Sequence, residues 1–172
     1  MNIEDKEKIL KQRASEISLV YNQEDKDDYI DILEFTINND KYAVESKFID
    51  EVYLIKDITE IPFTPSYIIG VISVRGNIFS VIDIKRLFNQ QSQEVKSKSK
   101  AIILKNNDME FALLSESVIG ITRLKRNDIQ TKPFSLTGLQ AEYILGMTTE
   151  KLVILDADKM LSDKKMIINQ EV

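Results

Sequence analysis

The chain contains the same order of sequence blocks twice, and this duplication limits the possible folds more than any other feature. The matched blocks are residues 42–44 and 111–113, 67–71 and 143–147, and 81–88 and 154–161. Their offsets are 111 − 42 = 69, 143 − 67 = 76 and 156 − 83 = 73 residues. Repeats of this length are supersecondary units that complete their cores against a neighbour. The sequence therefore predicts two similar strand-rich units with a shared seam and two outward faces, an arrangement that suits a protein that joins others.

Missing residue types exclude several classes of function. The 172 residues include no histidine and no cysteine, which removes His-based triads, thiol nucleophiles, histidine phosphotransfer and ordinary zinc sites. The five glycines are spaced so that neither a dinucleotide-binding nor a Walker phosphate loop is present. A net charge of −5 without a dense basic stripe argues against nucleic acid as a partner. We expect a protein that binds partners and uses no cofactor.

No segment indicates export or membrane insertion. The longest apolar run, residues 68–74, is interrupted by Gly70 and Ser73 and is far shorter than the roughly 20 residues of a membrane helix. The N-terminus lacks the basic start and apolar stretch of a signal peptide. Because cysteine is absent, a reducing compartment is the default. We expect a cytoplasmic protein.

Residues 1–28 differ from the rest and predict an amphipathic helical extension. Apolar side chains recur there at helical spacing, at Ile3, Leu10, Ala14, Ile17 and Tyr21. Two interpretations are open: the helix packs on its own domain, or it is a docking arm for a partner.

Residues 29–88 form the first copy, in which apolar residues recur with the period of two that is typical of strands. The predicted elements are a strand from Tyr29, a turn at 38–40, a return strand at 41–44, an extended stretch at 48–55 and a short helix at 83–88. Two prolines exclude residues 61–65 from a helix or a central strand.

The clearest hairpin joins residues 71–74 to residues 78–82. We predict a turn at Arg75-Gly76-Asn77, in which Gly76 and Asn77 adopt the positive φ that a tight hairpin demands. The hairpin carries more aliphatic residues than one thin sheet face requires. Part of this surface is predicted to fill the seam between the copies, and part to line a docking groove.

A polar linker at residues 89–100 leads to the second copy at residues 101–161, and residues 162–172 form a C-terminal tail. The second copy repeats the strand plan, with Pro133 in its irregular link, but lacks an Arg-Gly turn. Many short strands separated by turns predict a mainly β fold of small barrels, and not a helical or α/β fold.

Asp83 and Asp156 occupy the same position in the two copies, and two interpretations are open. They are either a carboxylate pair of an enzyme or N-caps, each accepting the first free backbone N–H groups of a short helix, an interaction worth about 1 kcal/mol. Capping is favoured, because nothing near them in the sequence would serve as nucleophile or metal ligand.

Arg75 is unique to the first copy and also has two interpretations. It is either a turn residue kept in water or an arginine presented on a β-scaffold to a partner's carboxylates or backbone carbonyls. The many aliphatic residues around it favour the second interpretation.

The hairpin carries a resemblance to a known family. Residues 70–76, Gly-Val-Ile-Ser-Val-Arg-Gly, followed by Val-Ile-Asp-Ile at 81–84, resemble the CheW family of chemotaxis coupling proteins. The family pattern is Gly-Val-x-Asn-Leu-Arg-Gly, a short strand and Pro-Val/Ile-Ile/Val-Asp-Leu, from which Ser73 and Ser80 depart. Ile-Asp-Glu-Val at 49–52 is similar to an upstream family element, and the resemblance spans about residues 29–162.

The resemblance implies a fold of two pseudo-repeated, five-stranded, SH3-like β-barrels that share a core, with residues 29–172 as the CheW-like domain. It also implies a non-enzymatic adaptor that holds the regulatory domain of the histidine kinase CheA to the cytoplasmic tips of methyl-accepting chemoreceptors. The implied partner-binding residues are Arg75, Gly76, Val74 and Ile72 in the receptor-facing region, and Glu51, Ile49 and Val52 in the region of partner coupling.

Three hypotheses about function follow. The first is the chemotaxis coupling protein that the resemblance implies, recruited to membrane-associated chemoreceptor arrays. The second is a regulator of the same fold in a chemosensory pathway with another output, such as twitching or second-messenger control. The third is an enzyme that uses the carboxylates of Asp83 and Asp156.

Overall fold

The computed structural model describes residues 2–92, 94–131 and 138–168, and gives the backbone alone at residues 17–27 and at position 139. The described strands are β1 (Tyr29–Ile37), β2 (Asp40–Glu45), β3 (Ile49–Leu54), β4 (Ile68–Val74), β5 (Asn77–Ile82), β6 (Lys100–Lys105), β7 (Glu110–Ser115), β8 (Ser117–Lys125), β9 (Gln130–Thr131), β10 (Ile144–Met147) and β11 (Val153–Leu155). The α-helices are α1 (Ile3–Asp27), α2 (Ile84–Leu87), α3 (Leu139–Tyr143) and α4 (Ala157–Met160), and single 3₁₀ turns cover Ser46–Phe48, Arg126–Asp128 and Lys164–Met166.

The strands form two sheets. The first sheet has the order β8-β1-β2-β11-β10-β9, and the second has the order β3-β6-β7-β5-β4. The predicted mainly β fold with an N-terminal helix is confirmed. The second sheet has the five strands that were expected, and the first has a sixth, β9, of two residues. Pro133 lies outside the described residues.

Each sheet contains strands from both sequence copies. The β1–β2 hairpin of the first copy lies between β8 and β11 of the second, and the β6–β7 hairpin of the second copy lies between β3 and β5 of the first. The two junctions are parallel pairs, with Ala43 opposite Ile154 and Ala112 opposite Val81. The copies have therefore exchanged their opening hairpins. Residues 29–88 and 101–161 remain predicted boundaries of the sequence repeat.

The two sheets repeat each other at the level of single residue pairs. Leu33 pairs with Ile121 across β1 and β8, and Ile102 pairs with Val52 across β6 and β3. Both sets differ by the same offset, since 102 − 33 = 69 and 121 − 52 = 69. Strand β8 is therefore the counterpart of β3, and β1 is the counterpart of β6.

A shared core lies between the sheets, and each sheet buries its other face in a smaller core of its own. Along β1, Leu33 and Phe35 enter the shared core, whereas Ile30 and Ile32 point to the core of the first sheet. The second sheet alternates in the same way, because Ile102 enters the shared core and Ile103 its own. Burial on both faces explains why these strands have near-continuous apolar sequences.

Helix α1 begins at an N-cap, where Asn2 Oδ1 accepts a hydrogen bond from the backbone N–H of Ile3 at 3.0 Å. Every residue from 2 to 16 is exposed, including Ile3 and Leu10 of the predicted apolar stripe. This part of the helix does not pack on the domain. The side chains of Ile17 and Tyr21 lie outside the described residues. None of the helices in the described ranges has the length and apolar character that crossing a bilayer requires.

The C-terminal segment is held by two tyrosines at equivalent positions of the two copies. Tyr143 donates a hydrogen bond from its hydroxyl to Asp163, and Tyr67 donates one to the backbone carbonyl of Lys165 at 2.8 Å. Burial and the neighbouring Asp163 carboxylate raise the pKa of the Tyr143 hydroxyl well above 10.0. Burial likewise raises the pKa of Tyr67. Both phenols therefore stay protonated in the folded protein at a pH where the unfolded chain begins to lose these protons.

We expect the free energy of unfolding to fall above about pH 10, because the unfolded state then releases phenolic protons that the folded state keeps. Tyr143→Phe should cost about 1.5–3 kcal/mol at pH 7, because it removes a hydrogen bond to a charged acceptor, and should make the alkaline decline shallower. Tyr67→Phe, which loses a bond to a neutral carbonyl, should cost about 0.5–1.5 kcal/mol. Urea unfolding at pH 7 to 11 measures both effects. An alkaline slope in Tyr143→Phe equal to that of the unaltered protein would contradict this account.

A second prediction concerns Gly70, where a Cβ atom would lie 2.5 Å from the carbonyl oxygen of Thr59 and the backbone φ is +149°. Gly70→Ala should therefore destabilise the fold by about 3 kcal/mol or more, through both overpacking and backbone strain. Gly120 is the matched control, because its φ is +146° but a Cβ would have open space. Gly120→Ala should cost only the backbone part, about 1–2 kcal/mol. Equal losses in thermal and urea unfolding would show that the close approach to Thr59 is unimportant.

Candidate functional site

The turn between β4 and β5 presents Arg75 to solvent. Val74 pairs directly with Asn77, so the turn consists of Arg75 and Gly76 alone. Their φ values are +51° and +82°, which is the left-handed pair that a two-residue hairpin turn with matching strand twist requires. The sequence assigned the positive φ to Gly76 and Asn77, and this was wrong for Asn77. The register ends one residue earlier, which places Asn77 in β5.

Arg75 forms an ion pair with Glu51. The distance from Arg75 Nη2 to Glu51 Oε2 is 3.3 Å, and the two side chains are 81% and 24% exposed. Glu51 lies on β3 and Arg75 at the end of β4, the two outer strands of the second sheet. The structure therefore brings together a residue from each of the two predicted partner-binding regions.

This ion pair is weak because it is open to solvent. Pairs open to solvent contribute about 0–1 kcal/mol, because water screens the charges and ordering two side chains costs entropy. The guanidinium of Arg75 keeps most of its donors in water, where they can meet another carboxylate. The pair thus orients both side chains, and both remain available to a partner.

The other predicted residues divide into exposed and buried positions. Val52 is exposed next to Glu51 on β3, and Ile49 is half-buried against the shared core. Ile72 and Val74 are each only 2% exposed, within the core of the second sheet. Direct contact of these two with a partner would require that core to open. The structure gives them a supporting position beneath the turn.

In the first sheet, the position equivalent to Glu51 carries no charge. Gly120 pairs with Glu34 where Glu51 pairs with Ile103, so Gly120 is the counterpart of Glu51. Residues 148–152 connect β10 to β11 in place of the two-residue turn. The ion pair therefore exists on one side of a nearly symmetric molecule.

Next to the turn lies an apolar groove that sequence reasoning located only in part. One cavity of about 380 Å³ is lined mainly by aliphatic residues and also by one serine and one glutamate: Ile61, Val71, Ile78, Ser80, Glu110, Ile167 and Ile168. A second, of about 420 Å³, shares Val71 and Ile78 with it. Ile78 and Val71 belong to the aliphatic set from which the sequence predicted a docking groove. No such signal was present in the sequence for Ile61, Ile167 and Ile168. The last two reach the groove because the C-terminal tail folds back over β5, where Ser80 Oγ donates a hydrogen bond to the carbonyl of Met166 at 3.0 Å.

The two aspartates are caps. Asp83 is buried and accepts hydrogen bonds from the backbone N–H groups of Lys85 and Arg86 at 2.9 and 3.3 Å. Asp156 accepts from the N–H of Lys159 at 3.0 Å. Within the described residues, no three acidic side chains are grouped closely enough to hold a metal ion. Both carboxylates therefore serve as helix caps.

The chain is similar to known proteins in sequence and in fold. The pattern of the CheW-like domain family matches residues 31–165. The chemotaxis protein CheW of Helicobacter pylori is 27% identical over 90% of this chain and 94% of its own length. Protein FrzA of Myxococcus xanthus is 24% identical over 74% of this chain and 82% of its own. The crystal structure of the scaffolding protein TtCheW from Thermoanaerobacter tengcongensis superposes with a TM-score of 0.63 at 26% identity, covering 74% of this chain and 88% of that one.

The capping role predicts how the two aspartates respond to substitution. Asp83→Asn should destabilise the protein by about 1–3 kcal/mol, because it removes a buried charge that accepts several hydrogen bonds. Asp156→Asn should cost about 1 kcal/mol or less, because its cap is partly open to solvent. Thermal unfolding measures these losses. Loss of partner binding in a variant that is still fully folded would contradict a purely structural role.

Proposed function

Because the chain belongs to the CheW family of chemotaxis coupling proteins, we propose that it holds a CheA-type histidine kinase to the cytoplasmic tip of a methyl-accepting chemoreceptor. Members of the family are scaffold and adaptor proteins and not enzymes, so the carboxylate-enzyme hypothesis is set aside. The observation that carries the proposal is the Glu51–Arg75 pair, which joins the two outer strands of the second sheet and has no counterpart among the described residues of the first.

The pair supplies a way for two contacts to affect each other. A receptor carboxylate that binds Arg75 competes directly with Glu51 for the guanidinium. Since the internal pair is worth about 1 kcal/mol or less, the competition costs little, and it releases Glu51 on β3. Glu51 with Ile49 and Val52 forms the proposed coupling region, so occupancy at the turn changes the charge presented by the neighbouring strand.

The kinase contact is proposed on the outer strands. Val52 and Leu54 on β3, and Ile119 and Ile121 on β8, are exposed aliphatic residues at the edges of the two sheets. Edges of this kind are surfaces on which another β-domain pairs or packs. The regulatory domain of the kinase, which the family resemblance gives the same fold, is the proposed occupant. We place the complex in the cytoplasm, at receptor arrays.

A second candidate is a regulator in a chemosensory pathway whose output is not flagellar. We keep this candidate because the chain is also similar to protein FrzA, which does not carry the name CheW. The identity of the receptor and kinase genes that neighbour this gene separates the two candidates.

Arg75→Glu is the direct test of the receptor contact. We expect the affinity for the cytoplasmic fragment of the cognate receptor to fall at least about tenfold, because reversing the charge repels a carboxylate. The free energy of unfolding should change by about 1 kcal/mol or less, since the side chain is exposed. Isothermal titration with the receptor fragment, and co-elution with the kinase regulatory domain, measure the two contacts separately.

Two further variants sharpen this test. Lys151→Glu makes the same charge change at an exposed residue of positive φ (+64°) in the equivalent loop of the first sheet, and should leave receptor binding unchanged. Glu51→Arg combined with Arg75→Glu restores an ion pair but not the receptor contact. Loss of cooperative unfolding in Arg75→Glu would show that Arg75 is structural, and an unchanged affinity would remove it from the receptor site.

A further inference from the structure

Helix α1 projects from the domain as an arm. It has 25 residues, which corresponds to a length of about 37 Å at 1.5 Å per residue. Every residue from 2 to 16 is exposed. An amphipathic helix gains most of its stability by packing its apolar face. The exposed face of this part of α1 therefore indicates a partner outside the chain.

The base of the helix is attached to the first sheet. Asp28 is the C-cap of α1, and β1 begins at the next residue. The backbone carbonyl of Asp28 accepts a hydrogen bond from the N–H of Arg126 at 2.7 Å, and Lys125 Nζ lies 3.4 Å from its carboxylate. The helix thus starts from a defined support, and its far end extends away from the domain surface.

The exposed part of α1 carries an apolar stripe. Ile3 is 75% exposed and Leu10 is 66% exposed, and Ala14 lies one turn after Leu10. Isoleucine at position 17 and tyrosine at position 21 continue the same spacing of three and four residues in the sequence. This spacing is the pattern of a seam along which two helices pack.

The charges of the helix favour a protein over a lipid surface as the partner. Residues 3–16 contain four basic and four acidic side chains. A helix that lies on a membrane has a polar face rich in lysine and arginine, which anionic headgroups attract. The net charge of zero over residues 3–16 gives no such attraction.

The charges are also distributed unevenly along the helix. Residues 6–13 contain four basic side chains and one acidic side chain, a net charge of +3, whereas residues 24–27 contain three acidic side chains and one basic, a net charge of −2. By the helical period, positions 6, 13 and 24 fall on the same flank of the stripe. In an antiparallel pair of two such helices, the basic segment of each lies beside the acidic segment of the other. A parallel pair would place like charges together.

We infer that α1 is a self-association arm, which pairs antiparallel with α1 of a second copy of this chain. The antiparallel arrangement places the two domains at opposite ends of the helix pair. Two single helices bury an area of the transient class, below about 1,200 Å², so the dimer in solution is weak. It becomes more complete where a larger assembly holds copies close together. Self-association is independent of the proposed function, because it needs neither the receptor nor the kinase.

Leu10→Asp tests the stripe. Sedimentation equilibrium of the purified full chain, over about 10 to 500 µM, should show a monomer–dimer equilibrium. Leu10→Asp should weaken dimerisation at least about tenfold, because it places a charge in the apolar seam. Ile121→Asp is the matched control, since Ile121 is also 66% exposed but lies on β8, and it should leave dimerisation unchanged. The melting temperature of Leu10→Asp should equal that of the unaltered protein.

An exchange of charges tests the complementarity. Lys6→Glu combined with Arg13→Glu should weaken self-association, and so should Glu24→Lys combined with Asp27→Lys. An equimolar mixture of the two variants should dimerise again. Acidic residues near the start of a helix and basic residues near its end favour the helix, so Lys6→Glu and Glu24→Lys do not act by unfolding it.

Introduced cysteines report the orientation, because the chain contains no cysteine of its own. Under mild oxidation, a mixture of Glu4→Cys and Asp27→Cys should form a mixed disulfide dimer. Glu4→Cys alone should not form a disulfide dimer, because the two N-terminal ends lie far apart in an antiparallel pair.

The remaining outcomes overturn the arm and leave the proposed function in place. A protein that stays monomeric at the highest concentration has no such arm, even if Leu10→Asp reduces its sedimentation with phosphatidylglycerol vesicles, which would assign the stripe to a lipid surface. A dimer that Ile121→Asp weakens and Leu10→Asp does not would use β8. A lower melting temperature in Leu10→Asp would show that the stripe packs on its own domain. A disulfide dimer of Glu4→Cys alone would show parallel pairing.

Discussion

Two parallel strand pairs, β2 with β11 and β5 with β7, are the contacts on which the rest of the structure depends. Each joins a hairpin of one sequence copy to a strand of the other, so neither sheet is complete without both copies. An ion pair adds a link between the sheets, because the buried Lys85 on α2, which follows β5, binds the exposed Asp40 of β2, and its ammonium lies 5.5 Å from the ring centre of Tyr42. Burial would lower the pKa of Lys85, but these partners raise it overall, so the lysine stays charged. A partner bound to either sheet therefore acts on a single structural unit that contains both copies.

Against this symmetric frame, the charged pair proposed for the receptor contact breaks the repeat. Gly70 and Gly146 meet the same kind of neighbour, since a Cβ would lie 2.5 Å from the Thr59 carbonyl oxygen in one copy and 2.4 Å from that of Gln130 in the other. These two glycines keep their chemistry in both copies and serve the fold. Glu51, in contrast, has Gly120 as its counterpart, so the negative charge is present in one copy and not in the other.

Much of the fold was predictable from sequence because it depends on local periodicity, and the site was less so because it depends on pairing. Alternating residues indicated the strands, and the helix caps followed from Asp at the start of short helices. The exchange of hairpins was not predicted, because periodicity shows that a strand exists but not which strand it pairs with. The ion pair between Glu51 and Arg75 depends on that pairing. The positive φ of Phe63 was not predicted, because the prolines indicated an irregular loop without revealing its backbone angles.

Strained backbone conformations occur in turns and loops of both sheets. Six described residues other than glycine have positive φ, and three of them are asparagines, whose short side chain tolerates that conformation. Phe63 and Arg75 have larger side chains, which tolerate that conformation less well. Both lie on the segment from β3 to β5, and both extend into solvent. A less strained residue at either position would make the fold more stable. Lys151 has the same kind of φ in the first sheet, so strain by itself does not identify a functional residue, and the proposal for Arg75 depends on its exposure and on its pair with Glu51.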